Sequence, residues 1–131
     1  MNQPNTMPPL SAETLEALSY VITTATEGGS YTRDDFRKWT TYKHGDTPEG
    51  FRAEVTVHPN DDKEGVSLEP VRLTPEELAR RLWPLVSAPE TPKAYRGDIA
   101  AILFQGDYGD GDVIRDGALL QLAVYGEVIY G

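Results

Sequence analysis

The chain has no cysteine among its 131 residues, which excludes disulfides and thiolate metal sites. It has only two histidines, so a metal centre would have to lean on carboxylates. No apolar run reaches the roughly 18 residues of a membrane span, and MNQPNTMPPL lacks the basic and apolar segments of a secretory signal. Basic residues are also scarce: 12 Lys and Arg stand against 21 Asp and Glu, a net charge of −9. That balance repels bare nucleic acid and anionic membrane, and it favours docking on a basic protein surface. No P-loop, dinucleotide glycine pattern or nucleophile elbow is present, and no serine has an evident histidine partner. No cofactor is implied. These absences describe a cytoplasmic binding protein rather than an enzyme.

What is present reads as one α+β domain. Residues 1–10 are polar and proline-containing, a loose tail ahead of a single domain over 11–131. Ser11 is a helix cap, with Leu10 and Leu15 placed as a hydrophobic staple. Leu15, Leu18, Ile22 and Ala25 follow at helical spacing, and Gly28 and Gly29 mark the stop of a helix over about 12–26. From Phe51 to His58 the chain alternates: Phe51, Ala53, Val55 and Val57 share one face, and Arg52, Glu54, Thr56 and His58 the other. This is a half-buried antiparallel strand. With Lys38–Lys43 before it and Val66–Leu73 after it, the pattern predicts a three-stranded meander whose third strand Pro70 places at an edge.

Thr74 to Glu77 form a capping box that opens a second helix with a Leu78, Leu82, Leu85 stripe, and Pro84 must kink or end it. Asp98 can cap a short helix over Ile99–Phe104. The apolar ending could be a buried helix or a central strand from periodicity alone. Its length and the capping residue Asp112 favour a helix, which Gly117 and Gly126 each weaken by about 1 kcal/mol. The predicted architecture is an N-terminal helix, a three-stranded antiparallel meander, then two to three helices packed on one sheet face.

Three segments are candidates for function. QGDYGDGDVIRDG, residues 105–117, is rich in aspartate and glycine, but its spacing fails the calcium loop of an EF-hand. That loop needs oxygen ligands at positions 1, 3 and 5 and a carboxylate at 12; starting from Asp110 puts Ile114 and Gln121 there, and starting from Asp107 puts glycines at 3 and 5. The segment instead reads as a turn that caps the final helix and carries surplus negative charge. Asp107, Asp110, Asp112 and Asp116 are the candidate contacts to a partner protein with a basic surface. In a sharper form they mimic nucleic acid and inhibit the host protein they occupy.

HPNDDKE gathers His58, Asp61, Asp62 and Glu64, a set suited to zinc or manganese in a metal-dependent hydrolase. The competing reading, a solvated hairpin turn, uses the same residues. The one locally basic stretch, residues 31–44, interleaves Arg33, Arg37, Lys38 and Lys43 with Trp39 and Tyr42. Aromatics beside cations can stack bases and hold phosphates, so these six residues form an alternative nucleic-acid surface. The α-β-β-β-α order is shared with double-stranded-RNA-binding domains. Those bind through a basic second helix, whereas TPEELARRLWP balances two arginines with two glutamates.

The ending QLAVYGEVIYG, with its acidic lead-in, resembles the C-terminus of small acidic proteins of actinobacteria and their phages, which close on an ALFGEIVYG-like sequence. Val124 and Tyr125 stand where that pattern has Leu and Phe. The resemblance brings no catalytic residue. It implies a phage or mobile-element origin in a bacterial cytoplasm, and the apolar terminus is compatible with a homodimer.

Overall fold

Ser11 starts the first helix as its sequence requires: its Oγ accepts the Thr14 N–H at 3.1 Å, and α1 spans Ala12–Glu27. The computed structural model describes residues 7–27, 35–48, 50–62 and 64–130, so residues 1–6 and the Gly28–Gly29 stop lie outside the described residues. Strand β1 spans Phe36–Thr47, β2 Gly50–Pro59 and β3 Val71–Leu73, joined antiparallel in the order β1-β2-β3. Helix α2 follows over Pro75–Leu82, with a 3-10 turn over Trp83–Ser87, and then come α3 (Lys93–Gln105) and α4 (Val113–Tyr125). The α+β architecture expected from sequence is the one observed.

The alternation of β2 decides the layering. Ala53, Val55 and Val57 are buried against Leu18, Val21, Ile22 and Ala25 of α1, and the side chains between them project from the other face. Helix α1 packs on β2 and is itself covered by α4, α2 and α3. Buried hydroxyls splice these layers. Ser19 Oγ accepts the Ala53 N–H at 3.1 Å, and Thr14 Oγ1 donates to the Ile102 carbonyl at 3.0 Å. The Ala53 N–H gains a buried acceptor, and the Ile102 carbonyl, which also accepts the Gly106 N–H at 3.0 Å, gains a second donor.

The third strand is shorter than the expected Val66–Leu73, because its ladder with β2 begins only after Pro70. Proline has no N–H to give, and Val66 to Pro70 lie exposed. Pro84 ends α2 at Leu82, leaving Leu85 in the 3-10 turn. Thr74 caps α2 by accepting the Glu77 N–H at 3.1 Å, while the Glu77 carboxylate pairs with Arg80 and Arg81.

The expectation of a short helix capped by Asp98 is corrected. Helix α3 starts at Lys93, so Asp98 lies within it, and Tyr95, Ile99, Ile102 and Leu103 form its inward stripe. Helix α4 begins at Asp112, whose Oδ1 accepts the Arg115 N–H at 2.8 Å. Gly126 does not weaken α4 from within; it closes the helix in the left-handed region at φ 80°. Beyond it the chain folds back. The buried Gln121 side chain accepts the N–H groups of Ile129 and Tyr130 and donates to the Tyr130 carbonyl.

Candidate functional site

The aspartate-rich segment is an ordered loop between two helix ends. Helix α3 terminates with Gly106 left-handed, and the Asp107 N–H returns to the Ala101 carbonyl at 3.1 Å. Asp107 Oδ1 then accepts the Gly109 N–H at 2.9 Å, a local turn, before Asp112 caps α4. Tyr108 goes the other way, into the protein. Its hydroxyl donates to Asp116 Oδ2 and reaches Thr24 Oγ1 of α1 at 3.2 Å, while its ring meets Tyr20 edge-on. The Arg115 guanidinium lies over that ring at 4.7 Å and donates from Nε to Asp116 Oδ1 at 2.7 Å. A Cβ at Gly111 would overlap both the Arg115 guanidinium and the Tyr108 ring, so this position admits only glycine unless they shift.

The four candidate aspartates therefore separate. Asp107, Asp110 and Asp112 are exposed, and none of them makes an ion pair among the described residues. Asp116 is fully buried, so it cannot be a surface contact, and that expectation is corrected. Helix α4 is buried on most sides, and a carboxylate one turn inside it faces the core rather than water. Desolvation pushes the Asp116 carboxyl above its ordinary value, against the hydrogen bonds from Tyr108 and Arg115. Burial and the bond to Asp116 likewise push the Tyr108 hydroxyl up. Asp116, Tyr108 and Arg115 pin the loop from beneath. Tyr108 and Arg115 were not singled out from sequence, although a tyrosine alone among glycines and aspartates is the signal that could have marked the anchor.

Beside the loop, Val113 and Ile114 of α4 open into a largely apolar groove of about 310 Å³, shared with Tyr95, Gly117, Val128 and Tyr130. Ile114 and Ile129 are 62% and 50% exposed. Large apolar side chains left in water next to a concavity are what a partner surface requires.

The basic segment is divided by the strand period. Trp39 turns inward and donates from Nε1 to the Thr26 carbonyl at 3.3 Å, and Lys43 pairs with Glu27 of α1. Arg37, Lys38 and Tyr42 stay exposed, with Lys38 opposite His58 and Tyr42 opposite Glu54. Arg33 lies outside the described residues, as does Tyr31. The structure thus assembles half of the expected surface and moves Trp39 and Lys43 away from it.

The metal set does not converge. His58 sits within β2 on the open sheet face, while Asp62 Oδ1 accepts the N–H groups of Glu64 and Val66 to form the turn. Among the described residues no three His, Asp or Glu side chains gather where a metal ion could be held. His58, Asp61, Asp62 and Glu64 are correspondingly a strand end and a solvated turn. Among the described residues no helix is long and apolar enough to cross a membrane. Comparison with protein-family models, with curated proteins and with solved structures returns no match to this chain.

Proposed function

We propose that this is a small acidic protein-binding module that docks its 107–112 loop on the basic surface of a partner protein and so modulates or inhibits it. The observation that carries this reading is the set of three exposed carboxylates, Asp107, Asp110 and Asp112, displayed without ion-pair partners among the described residues on a loop pinned by Tyr108, Arg115 and Asp116. A carboxylate held in place loses little freedom on binding, and one without an internal cation keeps its field for the partner. The apolar groove beginning at Val113 supplies the desolvated area that charge alone does not. In its sharper form the acidic loop imitates nucleic acid in a basic cleft. The likeness of the C-terminus to small acidic actinobacterial and phage proteins supports a host protein as the partner, and the bacterial cytoplasm as the place of action.

The test is affinity capture from a bacterial host lysate with the wild-type chain and with an Asp107→Lys, Asp110→Lys variant. A partner retained by the wild type, released as salt rises and lost in the variant supports the reading. Competition by duplex DNA for that partner supports mimicry. Capture that is empty, or indifferent to both the variant and salt, refutes it.

A further inference from the structure

The described helices pack through α1 and α2 on one face of the sheet, and the other face is open among the described residues. Its side chains come from the outward positions of the register: Lys38 opposite His58, Thr40 opposite Thr56, Thr56 opposite Arg72, and Tyr42 opposite Glu54. Counted back from Trp39, which faces the core, regular alternation would send Arg37 inward and Phe36 outward, yet Phe36 is buried in the core. The register shift between Phe36 and Lys38 breaks that alternation, and both Arg37 and Lys38 are exposed. Two cations thus stand side by side where the strand period allows one.

Neither Arg37 nor Lys38 makes an ion pair among the described residues. Glu54, which also projects from this face, is engaged by Arg72 at 2.8 Å and His44 at 3.2 Å. Arg37 and Lys38 both lie close enough to His58 for their charges to act on it. Desolvation first, then the charges of Lys38 and Arg37, hold its imidazole below the ordinary value. Four residues along β1, roughly 13 Å at strand rise, Tyr42 is 61% exposed with its ring edge-on to His44 at 4.6 Å. Cations at one end of a flat surface and an exposed ring at the other match a strand whose phosphates and bases alternate. An acidic peptide would use the cations and leave the rings idle.

We propose that the open sheet face of this protein binds single-stranded nucleic acid, with Arg37 and Lys38 on the phosphates and Tyr42 stacking a base. The surface is separate from the acidic loop, which is anchored on α1 in the helical layer, and it does not rest on that loop's function. Duplex is disfavoured because its bases are stacked within the helix and leave Tyr42 no open base face to stack on.

The test is fluorescence anisotropy with a labelled thymidylate oligomer of about 15 nucleotides. With two phosphates neutralised, the logarithm of the association constant falls against log salt with a slope of about −1.4. Lys38→Gln reduces that slope to about −0.7, and Arg37→Gln with Lys38→Gln abolishes the salt dependence. Tyr42→Ala weakens binding roughly five-fold or more at unchanged slope, and Tyr42→Phe restores it. Asp107→Asn with Asp110→Asn, which disables the loop, leaves binding intact. All of these side chains are exposed, so the variants keep the fold. No binding at low salt, a preference for duplex or for polyglutamate, or indifference to Tyr42→Ala would overturn the proposal.

Discussion

Replacing Asp116 by alanine tests whether the aspartate loop is held from beneath. The carboxylate is 0% exposed and accepts from Tyr108 and from Arg115, whose own side chain is only 12% exposed. Truncation leaves a nearly buried guanidinium without its close anion. Asp98, at 3.8 Å and 39% exposed, is too far to replace it with a hydrogen bond, and Arg115 Nη2 already has no partner among the described residues. Breaking one side of a buried pair costs about 3–5 kcal/mol, a large share of the roughly 5–15 kcal/mol that holds a domain together. For a urea dependence of about 2 kcal/mol per molar, the midpoint should drop by roughly 2 M at neutral pH. A loss below about 1 kcal/mol would refute the reasoning.

Two further measurements separate the parts of that number. Because desolvation raises the Asp116 carboxyl, the native state holds its proton to higher pH than the unfolded chain does. The stability linked to that proton is therefore fully present below the ordinary carboxylate value and is lost as pH rises through the native one, leaving the pairing with Arg115 as the part measured at neutral pH. Asp116→Asn should remove that decline. The intact pair contributes little against apolar replacements, so Arg115→Met with Asp116→Leu should recover most of what Asp116→Ala loses. Hydrogen exchange at the Gly109 and Arg115 amides should quicken in Asp116→Ala, because their acceptors Asp107 and Asp112 belong to the released loop. In the proposed role of the loop, partner affinity should fall with it, although Asp116 is itself buried.

Glu77 is held at about 2, chiefly by its hydrogen bond from Arg80 and also by Arg81, so its contribution is present above the ordinary value and lost as pH falls toward 2. In thermal melts from pH 6 downward, the gap between wild type and Glu77→Gln should close with acid; a constant gap would count against the pairing. Gly126→Ala should cost about 1 kcal/mol in urea melts, for φ is 80° and a Cβ there meets nothing within 4 Å, leaving backbone strain as the whole effect. Gln121→Leu removes three bonds to the C-terminal segment, so the amides of Ile129 and Tyr130 should lose exchange protection while the helices keep theirs. Retained protection at both amides would show that the glutamine does not hold the tail.

The parts of the fold that were legible in sequence are those set by short-range rules. Ser11, Thr74 and Asp112 cap because a side-chain oxygen beside free N–H groups has one favourable arrangement, and β2 was readable because period two leaves no other face for Ala53, Val55 and Val57. Helix α3 was read too short because Lys93 to Asp98 is mostly polar, and its stripe becomes visible only when Tyr95 is counted with Ile99 and Ile102. The site was harder, since charge is additive along a sequence while direction is not. Asp112 and Asp116 differ by one helical turn, yet one meets water and the other Tyr108. Nothing local separates them, because α1 supplies the ceiling over Tyr108 from more than eighty residues away. The shift that exposes Arg37 beside Lys38 is likewise a property of the pairing with β2, invisible in β1 alone.

That same directionality explains how a chain of net charge −9 can hold two surfaces of opposite sign. On the sheet, Glu54 is engaged by Arg72 on the edge strand and by His44, and Arg37 and Lys38 pair with no acid among the described residues. In the helical layer, Arg115 could have neutralised Asp107 or Asp110, but Asp116 draws it beneath the loop. At the loop, one buried pair thus holds the nearest cation beneath the surface. An arrangement serving stability alone would gain by pairing those exposed charges, if only slightly, since such pairs contribute about 0–1 kcal/mol each. Because that gain is so small, stability exerts little pull on where the charges sit. Their segregation by layer is what the two proposed roles require, a basic surface at the loop and a polyanion at the sheet.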